Sequence, residues 1–334
     1  MSEKNVKTRG RTHLPFTVAR SAGDWSQSFA DPDIQAVVTI GNFDGVHLGH
    51  RKILQAVSDN ARAHAGARQA LLPAVLTFYP HPARIVRPEE APSLLMTLEQ
   101  RLTAFEQAGI QAALVLQFDA ALARLTPEDF VRRYLVETMR ATAVFVGANF
   151  RFGHKQAGDV TLLRELGRRF GFEAEAVAPV VVDGVVVSST AIREALRDGR
   201  VEDARKLLGR PYALAGEIRP GSGLGSKLVV PTLNLTTQQE LLPKLGVYAT
   251  EVTLDAKIYR AATNVGVRPT FDGGSVSIES YLLDFSETRT SGSLEVRFLR
   301  RLRDEQRFAN PQALREQILR DVEQARGYFQ LLKE

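Results

Sequence analysis

The sequence predicts a chain in two parts, an α/β half built on a parallel sheet and then a small antiparallel β-barrel with a packed terminal helix. Three observations predict it. Short β-rich runs alternate with helix-period stretches through the first half, the texture turns after Tyr212 to short strands broken by Gly, Pro and Asn, and Pro311 to Tyr328 carries apolar residues at helical spacing. Alternating β and α elements imply parallel strands joined by crossover helices. Many short strands between turn residues imply a barrel or sandwich. A length of 334 residues has room for two cores. The expected divisions are a loose N-terminus over 1–16, an α/β domain over 17–196, a helical connection over 197–211 and a barrel domain over 212–334.

In the first half the expected strands are Ala36–Ile40, Ala74–Phe78, Ala112–Leu116, Ala143–Gly147 and Ala174–Val180, each short and β-rich. Helical spacing follows the first of them (Ile53, Leu54 and Val57 among Lys52, Gln55 and Asp59) and recurs over Leu98–Ala108, Pro127–Glu137 and Val160–Phe170. A helix opens after Ser188-Ser189-Thr190. A second, Val201–Leu208, stops at Gly209-Arg210-Pro211, a C-cap glycine followed by proline. The barrel strands are expected at Ala213–Ile218, Gly246–Leu254, Tyr259–Val265, Ser277–Leu283 and Gly292–Leu302. Leu314, Ile318 and Val322 mark the inner face of the last helix.

Composition narrows the function classes. Hydrophobic residues make up 44% and charged residues 24%, as in ordinary globular proteins. There is no cysteine, which excludes disulfides, thiolate nucleophiles and Cys-ligated zinc, and fits a reducing cytoplasm. No apolar stretch reaches membrane-spanning length, and the opening MSEKNVKTRGRTHLPF lacks the apolar run of a secretory signal. The net charge of +5 is spread along the chain. Its densest basic stretch, Arg297 to Arg307, also carries Asp304 and Glu305, so it reads as a solvated face rather than a nucleic-acid stripe. A mild positive excess suits small anionic substrates. A basic nucleic-acid binder is the alternative from another class, and it would show steeply salt-dependent binding to an oligonucleotide. The expected partners are small molecules, with no nucleic acid and no membrane, for a monomer or weak homo-oligomer.

The most informative stretch is Gly41-Asn42-Phe43-Asp44-Gly45-Val46-His47-Leu48-Gly49-His50, at the seam between a strand and a helix. Such a seam offers backbone N–H groups and a positive dipole end to a phosphate. His47 and His50 lie three apart on one face of the first turn, where imidazoles can donate to phosphate oxygens. A metal pair is the competing reading, but no nearby Glu or Cys completes a zinc set; a capped turn with two surface histidines is the plain one. Thr77-Phe78-Tyr79-Pro80-His81-Pro82 also follows a strand, and reads as a stiff wall for a flat ligand or as an ordinary proline turn. Gly147-Ala148-Asn149-Phe150-Arg151-Phe152-Gly153 follows another, its aromatics reading as core or as ligand contacts. Ser188-Ser189-Thr190-Ala191-Ile192-Arg193 opens a helix with three hydroxyls and an arginine one turn in, which suits N-capping and phosphate binding alike.

Taken in order, these segments resemble the bifunctional bacterial riboflavin kinase/FAD synthetases, from about Val37 to Tyr328. Gly41–His50 is similar to the HxGH signature of the nucleotidyltransferase superfamily, and Ser188–Arg193 to the family's SSTxIR. The resemblance implies a Rossmann-like nucleotidyltransferase half that joins the adenylyl group of ATP to FMN, giving FAD and pyrophosphate. It assigns His47 and His50 to the triphosphate, and Ser188, Ser189, Thr190 and Arg193 to the pyrophosphate end. Gly41, Asn42, Phe43, Asp44 and Gly45 fall to the nucleotide mouth. Phe78, Pro80, His81, Pro82 and Asn149 fall to the flavin. Two positions depart from the usual pattern, Tyr79 where Asp is common and Ala148 where a polar residue is frequent.

In the second half, Gly216 to Gly225 leads to Pro231-Thr232-Leu233-Asn234; a glycine-rich turn is the plain reading. Thr232 and Asn234, two apart on an extended segment, face the same way and offer hard oxygens suited to magnesium. Glu279 alternates against Ile278 and Ser280, and by itself is an ordinary strand carboxylate. With Asn264 to Thr270 and Arg301 to Phe308, these segments resemble the riboflavin kinase module. That resemblance makes Glu279 the general base for the ribityl hydroxyl, Thr232 and Asn234 the Mg2+–ATP ligands, and Gly221 and Gly225 part of the ATP loop. The departures are Ser226 for the usual arginine, Val229 for a loop glycine, and Tyr281 where histidine is usual. They leave, as the alternative, a monofunctional adenylyltransferase with a degenerate kinase module.

Overall fold

The computed structural model describes residues 15–64, 71–219, 232–268, 275–285, 287 and 289–332. The loose N-terminus expected over 1–16 lies, up to residue 14, outside the described residues, as do Gly221, Gly225, Ser226 and Val229 of the glycine loop.

The first half is the expected parallel sheet. Strands β1 (Thr17–Ala19), β2 (Gln35–Ile40), β3 (Leu71–Tyr79), β4 (Ala112–Gln117), β5 (Ala141–Gly147) and β6 (Glu173–Val177) lie in the order β1-β4-β3-β2-β5-β6, every pair parallel. Between them run α1 (Ala22–Ser28), α2 (Leu48–Ala63), α3 (Pro82–Val86), α4 (Leu98–Gln107), α5 (Pro127–Phe130), a wider π-type coil over Val131–Thr138, and α6 (Val160–Phe170). Strands buried on both faces, as β2 and β4 are, read as continuous apolar runs because helices cover them. From β2 the chain winds outward through β3 to β4, then crosses to β5 on the other side, so the sheet reverses its strand order between β2 and β5.

The second half is a closed antiparallel barrel. Strands β9 (Tyr212–Arg219), β10 (Leu233–Thr237), β11 (Gly246–Leu254), β12 (Lys257–Arg268), β13 (Ser275–Leu282) and β14 (Ser293–Asp304) close in the order β10-β13-β12-β11-β14-β9. Alternation fills the interior with Leu235, Val252, Val265, Ile278 and Phe298. Three buried hydroxyls continue that layer: Thr263 Oγ1 lies 2.6 Å from Thr250 Oγ1 and 2.9 Å from Ser280 Oγ. Ahead of the barrel come a small hairpin, β7 (Val181–Val182) and β8 (Val185–Val186), and helices α7 (Ser189–Arg197) and α8 (Val201–Leu208). The terminal helix α9 (Pro311–Leu331) lays Val322, Ala325 and Phe329 on Ala249, Ala262 and Leu299. It is pinned there by a bidentate ion pair, Arg303 to Asp321 at 2.7 and 2.6 Å.

The compact units do not follow the chain as two simple halves. One comprises 1–43, 49–92 and 98–179; the other comprises 44–48, 93–97 and 180–334. The chain therefore passes between them at Phe43/Asp44, Leu48/Gly49, Pro92/Ser93, Thr97/Leu98 and Pro179/Val180.

Candidate functional site

In the first unit, three of the singled-out segments leave the carboxyl ends of neighbouring strands: Gly41–Phe43 after β2, Pro80–Pro82 after β3, and Ala148–Phe152 after β5. Ligands of open α/β sheets bind at this edge, beside the point where strand order reverses. His81 caps α3, its Nδ1 accepting from the Ala83 N–H at 3.2 Å. The Asn42 Nδ2 lies 3.2 Å from Nε2 of the same ring. Phe78 packs edge-on to Phe118, while Phe150 stacks on Phe152 at 5.4 Å. Asn149 is exposed at the lip, and His50 is half-buried.

The Phe43 ring does not line a mouth. It is buried, edge-on to His50 at 5.1 Å and to Phe105 at 5.4 Å. Sequence reasoning passed over Arg101 on α4, whose Nη1 donates to the Asn42 carbonyl at 2.6 Å.

In the second unit, Asp44 is likewise buried rather than lining an opening. Its carboxylate accepts the Leu95 N–H at 3.0 and 3.1 Å, the Met96 N–H at 3.2 Å and Nη2 of Arg193. Nε of Arg193 donates to the Ser93 carbonyl at 2.9 Å, so this arginine is committed to the protein and buried. Ser188 is the N-cap of α7, accepting from Ala191 N–H at 3.2 Å; Ser189 Oγ donates to the Asp44 carbonyl at 2.8 Å; Thr190 is exposed. The capping reading is therefore realised at Ser188, while Ser189 ties the helix start to Asp44. Gly45 sits at φ 89°, where an added Cβ would lie 2.7 Å from Leu95 Cδ1. Gln239 extends the network, its amide donating to Leu95 O at 3.2 Å and Ala213 O at 2.9 Å and accepting from Ala215 N–H at 2.8 Å.

His47 is buried in the same unit. Desolvation first, then the positive charges of Arg210 and Arg193, push its pKa down from 6.5 to about 4. It is a neutral imidazole at pH 7, able to donate one N–H and accept at the other nitrogen.

The barrel brings the second set together by register. Glu279 on β13 is directly opposite Asn234 on β10 and Asn264 on β12. Ile278 and Ser280 are buried inward, which puts Glu279 on the outer face with both asparagines. Thr232 stands just before β10 and is half-buried. In sequence Asn264 stands only within a longer motif; the strand register is what sets it beside Glu279. Among the described residues no group of three or more His, Asp or Glu forms a metal cluster. The Thr232 and Asn234 oxygens are neutral hard donors, a set that fits Mg2+ when phosphates supply the charge.

Comparison with known proteins finds relatives for both halves of the chain. A family model described as FAD synthetase matches residues 30–191, and one described as riboflavin kinase matches 208–329. The bifunctional riboflavin kinase/FMN adenylyltransferase of Escherichia coli (strain K12) is 36% identical over 303 residues, covering 90% of this chain and 95% of its own. The protein of the same description from Pseudomonas fluorescens is 39% identical, covering 87% and 92%. A crystal structure described as a macrolide-efflux protein from Streptococcus pneumoniae superposes with a TM-score of 0.79 at 27% identity, covering 93% of this chain and 99% of its own. Among the described residues here, no helix is long and apolar enough to cross a membrane.

Proposed function

The chain belongs to the family of bifunctional riboflavin kinase/FMN adenylyltransferases, and from that premise we propose which residues carry each reaction. The C-terminal half phosphorylates riboflavin to FMN, and the N-terminal half joins FMN to the adenylyl group of ATP, giving FAD and pyrophosphate. One observation carries this reading: two family models match two successive stretches of one chain, 30–191 and 208–329. The match over the second stretch favours a working kinase over a degenerate one. The functional division we adopt is 17–196 and 212–334, joined by 197–211. Absence of cysteine fits a cytoplasmic enzyme, working as a monomer or weak homo-oligomer.

In adenylyl transfer an oxygen of the FMN phosphate attacks the α-phosphorus of ATP in line. A new P–O bond forms as the bond to pyrophosphate breaks, and the leaving group keeps the electron pair. The protein's share is positioning and charge stabilisation. His47, neutral, donates to the triphosphate, with His50 one turn further along α2. Gly41, Asn42, Phe43, Asp44 and Gly45 contribute through the backbone, since the Phe43 and Asp44 side chains are buried. Ser188, Ser189 and Thr190 receive the pyrophosphate end, and Arg193 acts by holding Asp44. Phe78, Pro80, His81, Pro82 and Asn149 wall the isoalloxazine.

In the kinase reaction Glu279 takes the proton of the ribityl hydroxyl as its oxygen attacks the γ-phosphorus of ATP, and ADP leaves. Asn234 and Asn264, on either side of Glu279, orient its carboxylate. Thr232 and Asn234 would hold Mg2+, which neutralises phosphate charge when bound. Gly221 and Gly225 let the backbone approach those phosphates.

Purified protein given riboflavin, ATP and magnesium is expected to form FMN and then FAD, resolved by chromatography. Glu279→Gln loses FMN formation but still converts added FMN to FAD; His50→Ala does the reverse. Loss of both reactions in either well-folded variant would contradict two independent sites.

A further inference from the structure

Arg210 closes α8 in Gly209-Arg210-Pro211, at the threshold of the barrel, and the kinase reaction makes no use of it. Its guanidinium faces the other way. Nη2 donates to the Gly45 carbonyl at 2.8 Å, Nη1 donates to the Val46 carbonyl at 3.1 Å, and Nη2 lies 3.3 Å from Met96 Sδ. Between those two carbonyls sits Val46, a buried β-branched residue at φ 37°, in the left-handed region that such side chains avoid. The grip thus falls on the two peptides that flank the strained residue. Backbone held this way persists only where its surroundings over-determine it.

A trans peptide carries its C=O and N–H on opposite sides. Holding the Gly45 and Val46 carbonyls therefore turns the N–H groups of Val46 and His47 together to the far side. Ser189 Oγ, on the Asp44 carbonyl at 2.8 Å, turns the Gly45 N–H in the same manner. Successive N–H groups facing one way are a common device for binding phosphate oxygens.

We propose that Arg210 is a positioning residue for adenylyl transfer, a guanidinium from the threshold of the kinase half that fixes the backbone donors of Val46 and His47 toward the triphosphate. The proposal rests on the reading of the 41–50 loop as the triphosphate site. Arginine suits the task because its planar fork spans two successive carbonyls, whereas a lysine ammonium is a point donor.

The test assays both reactions in the full chain for Arg210→Met and Arg210→Lys, with His50→Ala alongside. Arg210→Met is expected to lower kcat for FMN adenylylation about a hundredfold, as small misplacements at a reacting centre do, with KM for FMN within about twofold of wild type. Arg210→Lys is expected to recover about a tenfold part of that loss. Riboflavin phosphorylation stays within about twofold of wild type in both. Adenylylation within about twofold of wild type in Arg210→Met overturns the proposal. So does a parallel fall of both reactions in both variants. Unchanged adenylylation in His50→Ala would instead remove the reading beneath it.

Discussion

The burial of His47 makes a quantitative demand on how the protein responds to acid. The side chain is 5% exposed, and desolvation, followed by the Arg210 and Arg193 charges, holds its pKa at about 4 against 6.5 in an open chain. Between those values the unfolded chain binds a proton at this residue and the native one does not. Stability from this residue is therefore complete above pH 6.5 and is lost progressively as pH falls toward 4. The difference, 6.5 − 4, taken at about 1.4 kcal/mol per unit, amounts to about 3.5 kcal/mol, of which about 3 kcal/mol is lost by pH 4. That is a large share of the roughly 5–15 kcal/mol that holds a typical domain folded. Urea unfolding followed by circular dichroism at several pH values between about 7.5 and 4 measures it in wild type and His47→Gln. Carboxylates that titrate below about pH 5 do so in both proteins and cancel in the difference. The wild type is expected to lose about 3 kcal/mol more than the variant across the window. Parallel stability curves would refute the reasoning, because they would mean that His47 gains no proton on unfolding.

Two further predictions concern buried ion pairs, and urea unfolding reads both. Asp44→Asn leaves the Arg193 guanidinium buried without its counter-charge and should cost about 3–5 kcal/mol, the range for breaking such a pair; a loss below about 1 kcal/mol would reduce the pair to a surface-like contact. Asp321→Asn, on the inner side of α9, removes the bidentate partner of Arg303 and should cost a similar amount, of order 3 kcal/mol. An unchanged midpoint there would mean that apolar packing alone holds the terminal helix.

Legibility in the sequence followed the range of the forces involved. Helix α6 ran over Val160–Phe170 as expected because both of its stops are local: Asp159 caps its start and Gly171, at φ 86°, ends it. The apolar runs of β2 to β5 announced buried strands in the same way. The hairpin β7–β8 was missed although Asp183-Gly184 between valines is a strong two-residue turn signal. Edge strand β1, with three residues, and β10, read only as part of a motif, are too short for a period to show. At the site, the histidines and the Ser188–Arg193 helix start were legible as motifs. The work of Asp44 was not, since its partner Arg193 lies 149 positions away. Arg210 shared that fate: in sequence it stood only between a C-cap glycine and a proline stop. Periodicity carries no information about which distant residue closes a charge pair.

The repeated passage of the chain between its compact units bears on how such a protein can be inherited or re-engineered. No single scission separates the two units whole, because the 44–48 and 93–97 strips of one are encoded inside the gene segment for the other. Shuffling the two activities by joining gene fragments end to end would deliver a 44–48 strip made to pack in one such unit to the remainder of another. Substitutions at Asp44, Gly45 and Leu95 should therefore track changes at Gln239 and Arg210 across relatives, so that the two enzymes evolve as one heritable block.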